Sequence, residues 1–348
     1  MSDGEHDEVP QPHARRVRYR GKNPRRFAEK YKEHAAERYP GTIAKVRAAG
    51  KTPAGSHIPV LVSEILEVLS PAPGETAVDC TLGYGGHARE ILRRILPGGR
   101  MLALDADPLE LERSGRRLRA EGFGEDVLHF ERMNFAGVAR AMAANGIRGA
   151  DCLLADLGVS SMQLDNPLRG FSVKFDGPLD MRMNPTKGVS ASDLLARLAA
   201  GKLQQVLEEN SDEPRARQLA LALAGKRMDS TLSLVAAIRQ ALPGVPQLEG
   251  DLAVRRVFQA LRIAVNEEFS ALDMLLRQLP ECLRPGGRVA VLTFHSGEDR
   301  RVKKAFQAGL RTGLYAAVSR DVIRPSPKEC RENPRSTSAK LRWALRAA

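Results

Sequence analysis

From residue 57 to about 161 the chain repeats one period: an amphipathic helical pattern, a turn marked by glycine or proline, and a short apolar run. SEILEVL leads through PAPGE to TAVDCTL, AREILRRIL through LPGGR to MLALDAD, the helical pattern Leu109–Ala120 to VLHFERM, and AGVARAMAANG to ADCLLADLGVS. Strands separated by helices cannot pair as tight hairpins, so they form a parallel sheet with helices on both faces. A doubly wound α/β fold is therefore predicted. The period breaks after Met162, where the loop-like run QLDNPLRGFSVKFDGPLDMRMNPTKG leads into four helical patterns without a strand. These are ASDLLARLAA, LQQVLEE, PRARQLALALAG and TLSLVAAIRQAL. Alternation resumes with VFQALRIAVNEEFSALDMLLRQLPECL, the turn RPGGR and VAVLTF. Residues 162–255 read as an inserted all-helical domain, and residues 53–161 with 256–348 as the sheet-bearing domain.

Composition permits such a fold. A chain of 348 residues, 43% hydrophobic and 28% charged, can bury a sizeable core. Its longest apolar stretches, such as LALALA at 219–224, fall far short of the roughly 20 residues that a bilayer span needs. A cytoplasmic protein is expected. Cys80, Cys152, Cys282 and Cys330 are scattered without a CxxC pair, which reads as buried reduced thiols; neither a metal nor a disulfide framework is expected. The net charge of +12 sits at the ends: residues 1–51 hold 13 Lys and Arg against 7 Asp and Glu, residues 300–348 hold 13 against 3, and the remainder 28 against 32. An acidic body with basic ends suits a polyanion partner, because phosphate neutralisation is local and releases counterions, although solvated tails would give the same count. Residues 1–52 read as a basic, flexible extension with one helix at most, from Pro24 to Glu37.

VDCTLGYGGHARE places Gly83, Gly85 and Gly86 between the first strand and its helix, where parallel sheets bind ligands. GYGGHA satisfies the dinucleotide fingerprint GxGxxG/A, and Asp105 ends the second strand, so a nicotinamide or flavin enzyme and a ligand-free tight turn are both open readings. Asp79 shifts the balance. A carboxylate just before the glycines can order the loop and face the amino group of a methionine moiety, whereas a pyrophosphate would be repelled. Asp105 suits a pair of ribose hydroxyls, Asp107 reads as the solvated start of a helix before Pro108, and Phe135 would lie beside an adenine ring or serve as an ordinary core aromatic. S-adenosylmethionine is the favoured ligand. Asp156 then ends the fourth strand beside the methyl donor, without the Asn/Asp-Pro-Pro-aromatic motif common in amino-group methyltransferases.

DLGVSSMQLD stands there instead. With HIPVLVSEIL, DCTLGYGGHA, LALDADP, RGFSVKFDGPLDMRMNP, RVFQALRIAVNEE, RPGGRVAVLTFHSGEDRRVKKAF and ENPRSTSAKLR, it makes the chain from His57 to Ala348 closely resemble the MraW (RsmH) family. The resemblance implies a Rossmann-like class I methyltransferase acting on small-subunit (16S) rRNA or the ribosomal subunit. The implied reaction transfers a methyl group from S-adenosylmethionine to the exocyclic N4 amine of a cytidine in the decoding centre. It also implies cofactor contact by Gly85, Gly86, His87, Asp105, Phe135, Asp156 and Gln163. The chain departs from the family pattern at Ser211 and Asp212, where a Gly-Glu pair is usual, and at Gly297, where Leu is usual. The N-terminal 50 residues read as having no family counterpart. A non-catalytic RNA-binding module that keeps the fold is the alternative, and intact GYGGH, Asp105 and DLGVSS argue against it.

The exocyclic nitrogen of cytosine is a poor nucleophile because its lone pair is delocalised into the ring. Asp156, or a main-chain carbonyl of LGVSS, is expected to accept from the amine and align it with the sulfonium methyl; orientation of this kind can supply about 7–11 kcal/mol. The base must leave its stack to reach such a pocket. The helical insertion, the RGFSVKFDGPLDMRMN loop and SPKECRENPRSTSAKLR flank the strand ends and are expected to contact RNA. His295 and Ser296 are adjacent on a strand end and point to opposite faces, so they form no dyad, although either alone could touch the base.

Overall fold

The computed structural model describes residues 59–348. The expectations for residues 1–52, including the helix at Pro24–Glu37, lie outside the described residues. Helix α1 (Val62–Leu69) precedes β1 (Thr76–Asp79), and α2 (Gly86–Ile95), β2 (Arg100–Asp105), α3 (Pro108–Ala120), β3 (Leu128–Arg132), α4 (Val138–Ala144) and β4 (Ala150–Asp156) follow in alternation. The short α5 (Ser161–Asp165) opens a strand-free stretch holding α6 (Ala191–Arg197), α7 (Ala200–Ser211), α8 (Ala216–Leu223), α9 (Thr231–Gln240), α10 (Gln247–Asn266) and α11 (Glu268–Cys282). Then come β5 (Leu283–Thr293), α12 (Ser296–Arg311), β6 (Tyr315–Val318), α13 (Pro327–Glu332) and β7 (Lys340–Arg346).

The strands form one sheet in the order β3-β2-β1-β4-β5-β7-β6. β1 to β5 are parallel and β7 runs antiparallel to both its neighbours. This is a doubly wound, Rossmann-like sheet, with chain order reversing between β1 and β4. Alternate residues serve opposite faces. Val78, Leu102, Leu153 and Val289 pack beneath α4, α11 and α12, while Ala77, Met101, Leu154 and Ala290 pack beneath α1, α2 and α3. A sheet covered on both sides needs nearly continuous apolar strands, which is what TAVDC and CLLA provide. Cys80, Cys152 and Cys282 are buried free thiols and Cys330 is half-buried. No described helix is long and apolar enough to cross a membrane.

The C-terminal basic segment is partly structural. KLRWALR fills the sheet as β7, burying Leu341 and Ala344, and Arg342 is itself buried with its Nε donating to Asp299 at 2.6 Å. The charge count at this end therefore overstates the cations free to meet a polyanion.

A third hydrophobic cluster gathers α6 to α10 around Phe171, Leu179 and Met181 of the preceding loop. The four helical patterns of the sequence correspond to α6 to α9. Helix α10 runs straight through position 255, and its Val254, Val257, Phe258 and Leu261 stay in the helical cluster. The chain changes layer at Glu267, in the left-handed region at φ 51°, after which Leu272, Leu275 and Leu279 of α11 return to the sheet.

Candidate active site

The carboxyl ends of β1, β2 and β4 open into a cavity of about 290 Å³. Its floor is the glycine turn. Leu82 N donates to Leu104 O and Gly85 N to Leu82 O, folding the chain back on itself, and Gly85 adopts φ 77° at the start of α2. Gly85 faces away from the cavity, since a Cβ there would lie 3.1 Å from Cδ1 of Leu118. Gly86 and His87 do line the wall, and a Cβ on Gly86 would meet Cγ of Pro59 at 2.9 Å. Of the two adjacent glycines, one lets α3 approach and the other keeps the wall thin.

Asp105 joins this turn to the end of β2. Its Oδ2 accepts from Gly83 N and its Oδ1 from Asp107 N, both at 2.8 Å, while the carboxylate still lines the cavity. Each oxygen keeps a second acceptor direction for a ligand hydroxyl. Asp79 orders the loop as expected, accepting from Thr81 N at 3.0 Å, but it is 1% exposed and lies behind the cavity wall, not facing a ligand amino group. Phe135 lines the cavity and also packs on the sheet core, so the two readings of this aromatic describe its two sides.

Asp107 is not solvated. It is fully buried, caps α3 by accepting from Leu109 N, and pairs at 2.6 Å with Nη1 of Arg169, which is 8% exposed. A buried guanidinium supplies the countercharge that allows this carboxylate to leave water. Arg169 Nη2 donates to the Arg182 and Met183 carbonyls, so one side chain ties the RGFSVKFDGPLDMRMN loop to the β2 end. Gln163 lines the cavity with its amide committed: Oε1 accepts from Ser160 N and Nε2 donates to Asp107. It positions α5 against α3, and these bonds leave the amide little freedom to turn towards a ligand.

Asp156 presents its carboxyl to the cavity, and its N–H donates to Thr81 Oγ1 at 2.6 Å. Its Oδ2 lies 3.5 Å from His87 Nδ1, while His87 Nε2 lies 2.9 Å from Val60 O. A carbonyl can only accept, so Nε2 carries the proton and Nδ1 turns a lone pair towards Asp156. Burial holds the imidazole below its ordinary pKa. Burial, helped by the charge of Glu298, pushes Asp156 up to about 7. Burial likewise raises Asp105 and Asp79 to about 6 and Glu110, beside Asp107, to about 7. Acids in or just behind one cavity wall are thus held short of full ionisation, which a ligand carrying positive charge and hydroxyl donors would relieve.

Arg262, Met183, Phe294, Asn333 and Arg335 complete the wall from distant parts of the chain. Their motifs were visible in the sequence, but no local periodicity separates a cavity-facing Arg or Phe from its neighbours. His295 and Ser296 do not line the cavity. His295 Nε2 lies 3.2 Å from Glu298 Oε1 and its ring tilts against Phe269, and Ser296 Oγ reaches Asp212 at 3.4 Å. Among the described residues no cluster of three His, Cys, Asp or Glu is placed to hold a metal ion.

Residues 54–347 match the MraW methylase family. The chain belongs to that family. Among similar MraW methylases is ribosomal RNA small subunit methyltransferase H 1 of Agathobacter rectalis, 48% identical over 344 residues that cover 96% of this chain and 98% of the relative. The protein of the same name from Lachnoclostridium phytofermentans is 49% identical, covering 96% of this chain and 93% of its own. Ribosomal RNA small subunit methyltransferase H of Heliobacterium modesticaldum is 40% identical, covering 83% and 97%. Coverage of 96% reaches well into residues 1–52, which corrects the expectation that this stretch lacks a counterpart in the family. It is shared with some relatives, and its matched length varies within the family.

Proposed function

We propose that this MraW methylase transfers the methyl group of S-adenosylmethionine to the exocyclic N4 amine of a cytidine in the decoding centre of small-subunit rRNA. The observation that carries the reading is the acid-lined cavity at the glycine turn, with Asp105 locked to Gly83 and Asp156 raised to about 7. A sulfonium donor with an ammonium group and two ribose hydroxyls complements that wall, whereas the pyrophosphate of a dinucleotide would meet carboxylates. The names of the relatives, small-subunit rRNA methyltransferases, support the substrate class.

The bound donor supplies an electrophilic methyl group. Asp105 holds its ribose, Phe135 lies along its base, and the bare main chain at Gly86 admits its methionine part, with Gly85 shaping the turn and His87 closing the wall. Gln163 acts at one remove, by fixing α5 and Asp107. Asp156, as carboxylate, accepts an N–H of the target amine, draws the nitrogen towards a tetrahedral geometry, and takes up the amine proton on Oδ. Its raised pKa suits it to hold that proton near neutrality. The helical segment 162–255 with its RGFSVKFDGPLDMRMN loop, and the ENPRS stretch that brings Asn333 and Arg335 to the cavity, contact RNA around the flipped base.

Mass spectrometry of rRNA nucleosides from cells with and without the gene tests the product. Loss of N4-methylcytidine on deletion is expected, and an unchanged signal would exclude it. Calorimetry should show S-adenosylhomocysteine binding that NAD does not displace. Absence of such binding would favour the non-catalytic RNA-binding alternative.

A further inference from the structure

Asp105 and Phe135 mark the donor half of the cavity at β2 and β3, which leaves the ends of β4 and β5 for the acceptor. There the wall includes a cation better shielded from solvent than Arg335, which pairs with Asp165. Arg262, near the end of α10, lines the cavity with a side chain 17% exposed. Its Nε and Nη2 donate to the two carboxylate oxygens of Glu268, each at 2.8 Å, and Glu268 is itself 8% exposed. Among the described residues nothing accepts from Nη1, which leaves it as the uncommitted edge of a guanidinium whose other edge is fixed. The backbone beneath is fixed as well. Asn266 Nδ2 donates to the carbonyls of Arg262 and Met181, and Asn266 Oδ1 accepts from Met183 N at 2.7 Å, so the end of α10 is tied to the loop that brings Met183 to the same wall. On the other flank the buried Glu298 accepts from Phe294 N at 2.9 Å and so sets the ring that lines the cavity beside Asp156.

A bidentate Arg–Glu pair that merely joined two helices would have no need to form part of a ligand cavity. We propose that Arg262 reads the acceptor base, donating from Nη1 to the ring carbonyl O2 of cytosine, and that Glu268 is its positioning residue. The inference rests on the N4-cytidine reading above. On cytosine the amine and the carbonyl lie at opposite ends of one edge, so turning the amine to Asp156 sends the carbonyl away from it, towards the remaining wall. Adenine carries a C–H at the corresponding position and would leave a desolvated donor unpaired. Glu268 matters for the chemistry as well as the geometry. An unneutralised cation at this edge would pull the amine lone pair further into the ring, and a neutralised one hydrogen-bonds with less of that cost.

The test uses small subunits from cells lacking the gene, labelled S-adenosylmethionine, and three proteins: wild type, Arg262→Lys, and Arg262→Gln with Glu268→Gln, which removes the pair without stranding a charge. Wild type should label the subunit, and both variants should lose about 10- to 100-fold in kcat/KM, the range of a good base-edge contact, with S-adenosylhomocysteine affinity within twofold of wild type. Subunits carrying 2-thiocytidine at the target, a weaker acceptor at that position, should be methylated more slowly by wild type, and the penalty should vanish in the double variant. Variants within threefold of wild type, or a thio penalty equal in all three proteins, would overturn the assignment to Arg262 while leaving the methyltransferase reading intact. No label from wild type on any subunit would overturn both.

Discussion

Arg169→Met tests how the donor half of the cavity is fixed to the loop beside it. The substitution keeps an apolar side chain of similar length and removes three interactions at once: the 2.6 Å ion pair with Asp107 and the donations to the Arg182 and Met183 carbonyls at 2.9 and 2.8 Å. Asp107 would keep Leu109 N and Gln163 Nε2 but lose its countercharge while remaining at 0% exposure. Removing one partner of a buried pair costs about 3–5 kcal/mol, against under about 1 kcal/mol for a surface pair. The two carbonyls can turn partly to water and add little. We expect a loss of about 4 kcal/mol in urea unfolding followed by circular dichroism. S-adenosylhomocysteine should also bind more weakly, because Asp107 N supports one oxygen of Asp105. Asp107→Asn in the same chain retains a good helix cap and removes the stranded charge, so the double variant should recover at least half of the loss. A cost below 1 kcal/mol, or no recovery in the double variant, would show that the pair is not the fastening it is taken to be.

Asp156→Asn should lower turnover about 100-fold or more while RNA affinity stays within about twofold, since a positioned acid–base group contributes on this scale; comparable losses in both would remove its catalytic role. With Asp156 raised to about 7 and needed as the carboxylate, kcat/KM should rise with pH through about 7 and then level off, and the variant should lose that limb. Ligand-free stability should show the opposite slope. The folded state retains protons on Asp79, Asp105, Glu110 and Asp156 that the unfolded chain has released, so stability should fall as pH rises from about 4 to about 7, and denaturation curves that steepen the other way would contradict the raised values. Gly297→Leu, which restores the residue usual in the family, should destabilise by about 1–3 kcal/mol as an overpacked site. The new Cβ would lie 2.6 Å from Cζ of Phe269, and a neutral result in thermal melts would show that this ring moves freely.

The sheet was legible because each strand is a short apolar run between helical periods, and a two-sided parallel sheet has few other ways to be encoded. β7 was hidden by its own composition: KLRWALR looks like a basic tail until Arg342 is seen to have Asp299 for a partner. Asp107 misled for the same reason, because the Arg that allows its burial lies 62 residues away in the chain. Gly85 and Gly86 read alike in the sequence, yet one faces Leu118 and the other Pro59 beside the cavity, a distinction that only backbone direction makes. The departures at Asp212 and Gly297 looked unrelated. In space they share α12: Asp212 holds Arg300 and Ser296, and Gly297 between them leaves room for Phe269, whose ring also lies 4.2 Å below the Arg301 guanidinium.

Charge creates a last difficulty with a measurable consequence. A polyanionic substrate must deliver a base into a cavity walled by Asp105, Glu110 and Asp156, and at neutral pH part of that wall is ionised. The two arginines there, Arg262 and Arg335, are already paired with Glu268 and Asp165. Positive charge must therefore arrive with the donor, which implies that donor binding precedes and strengthens RNA binding. Methyl transfer removes the sulfonium charge and leaves an ammonium balanced by the cofactor's own carboxylate, so the product cofactor should support RNA less well than the donor does. One unit charge about 6 Å from a phosphate or carboxylate in a surface-like dielectric is worth roughly 2–3 kcal/mol before screening, so a change of about 3- to 10-fold in affinity is expected. Filter binding of small subunits to the protein saturated with a cationic, non-transferring analogue of S-adenosylmethionine, with S-adenosylhomocysteine, or with neither should give the highest affinity with the cationic analogue. Equal affinities in all three states would show that the acids around the cavity are not what the incoming RNA experiences.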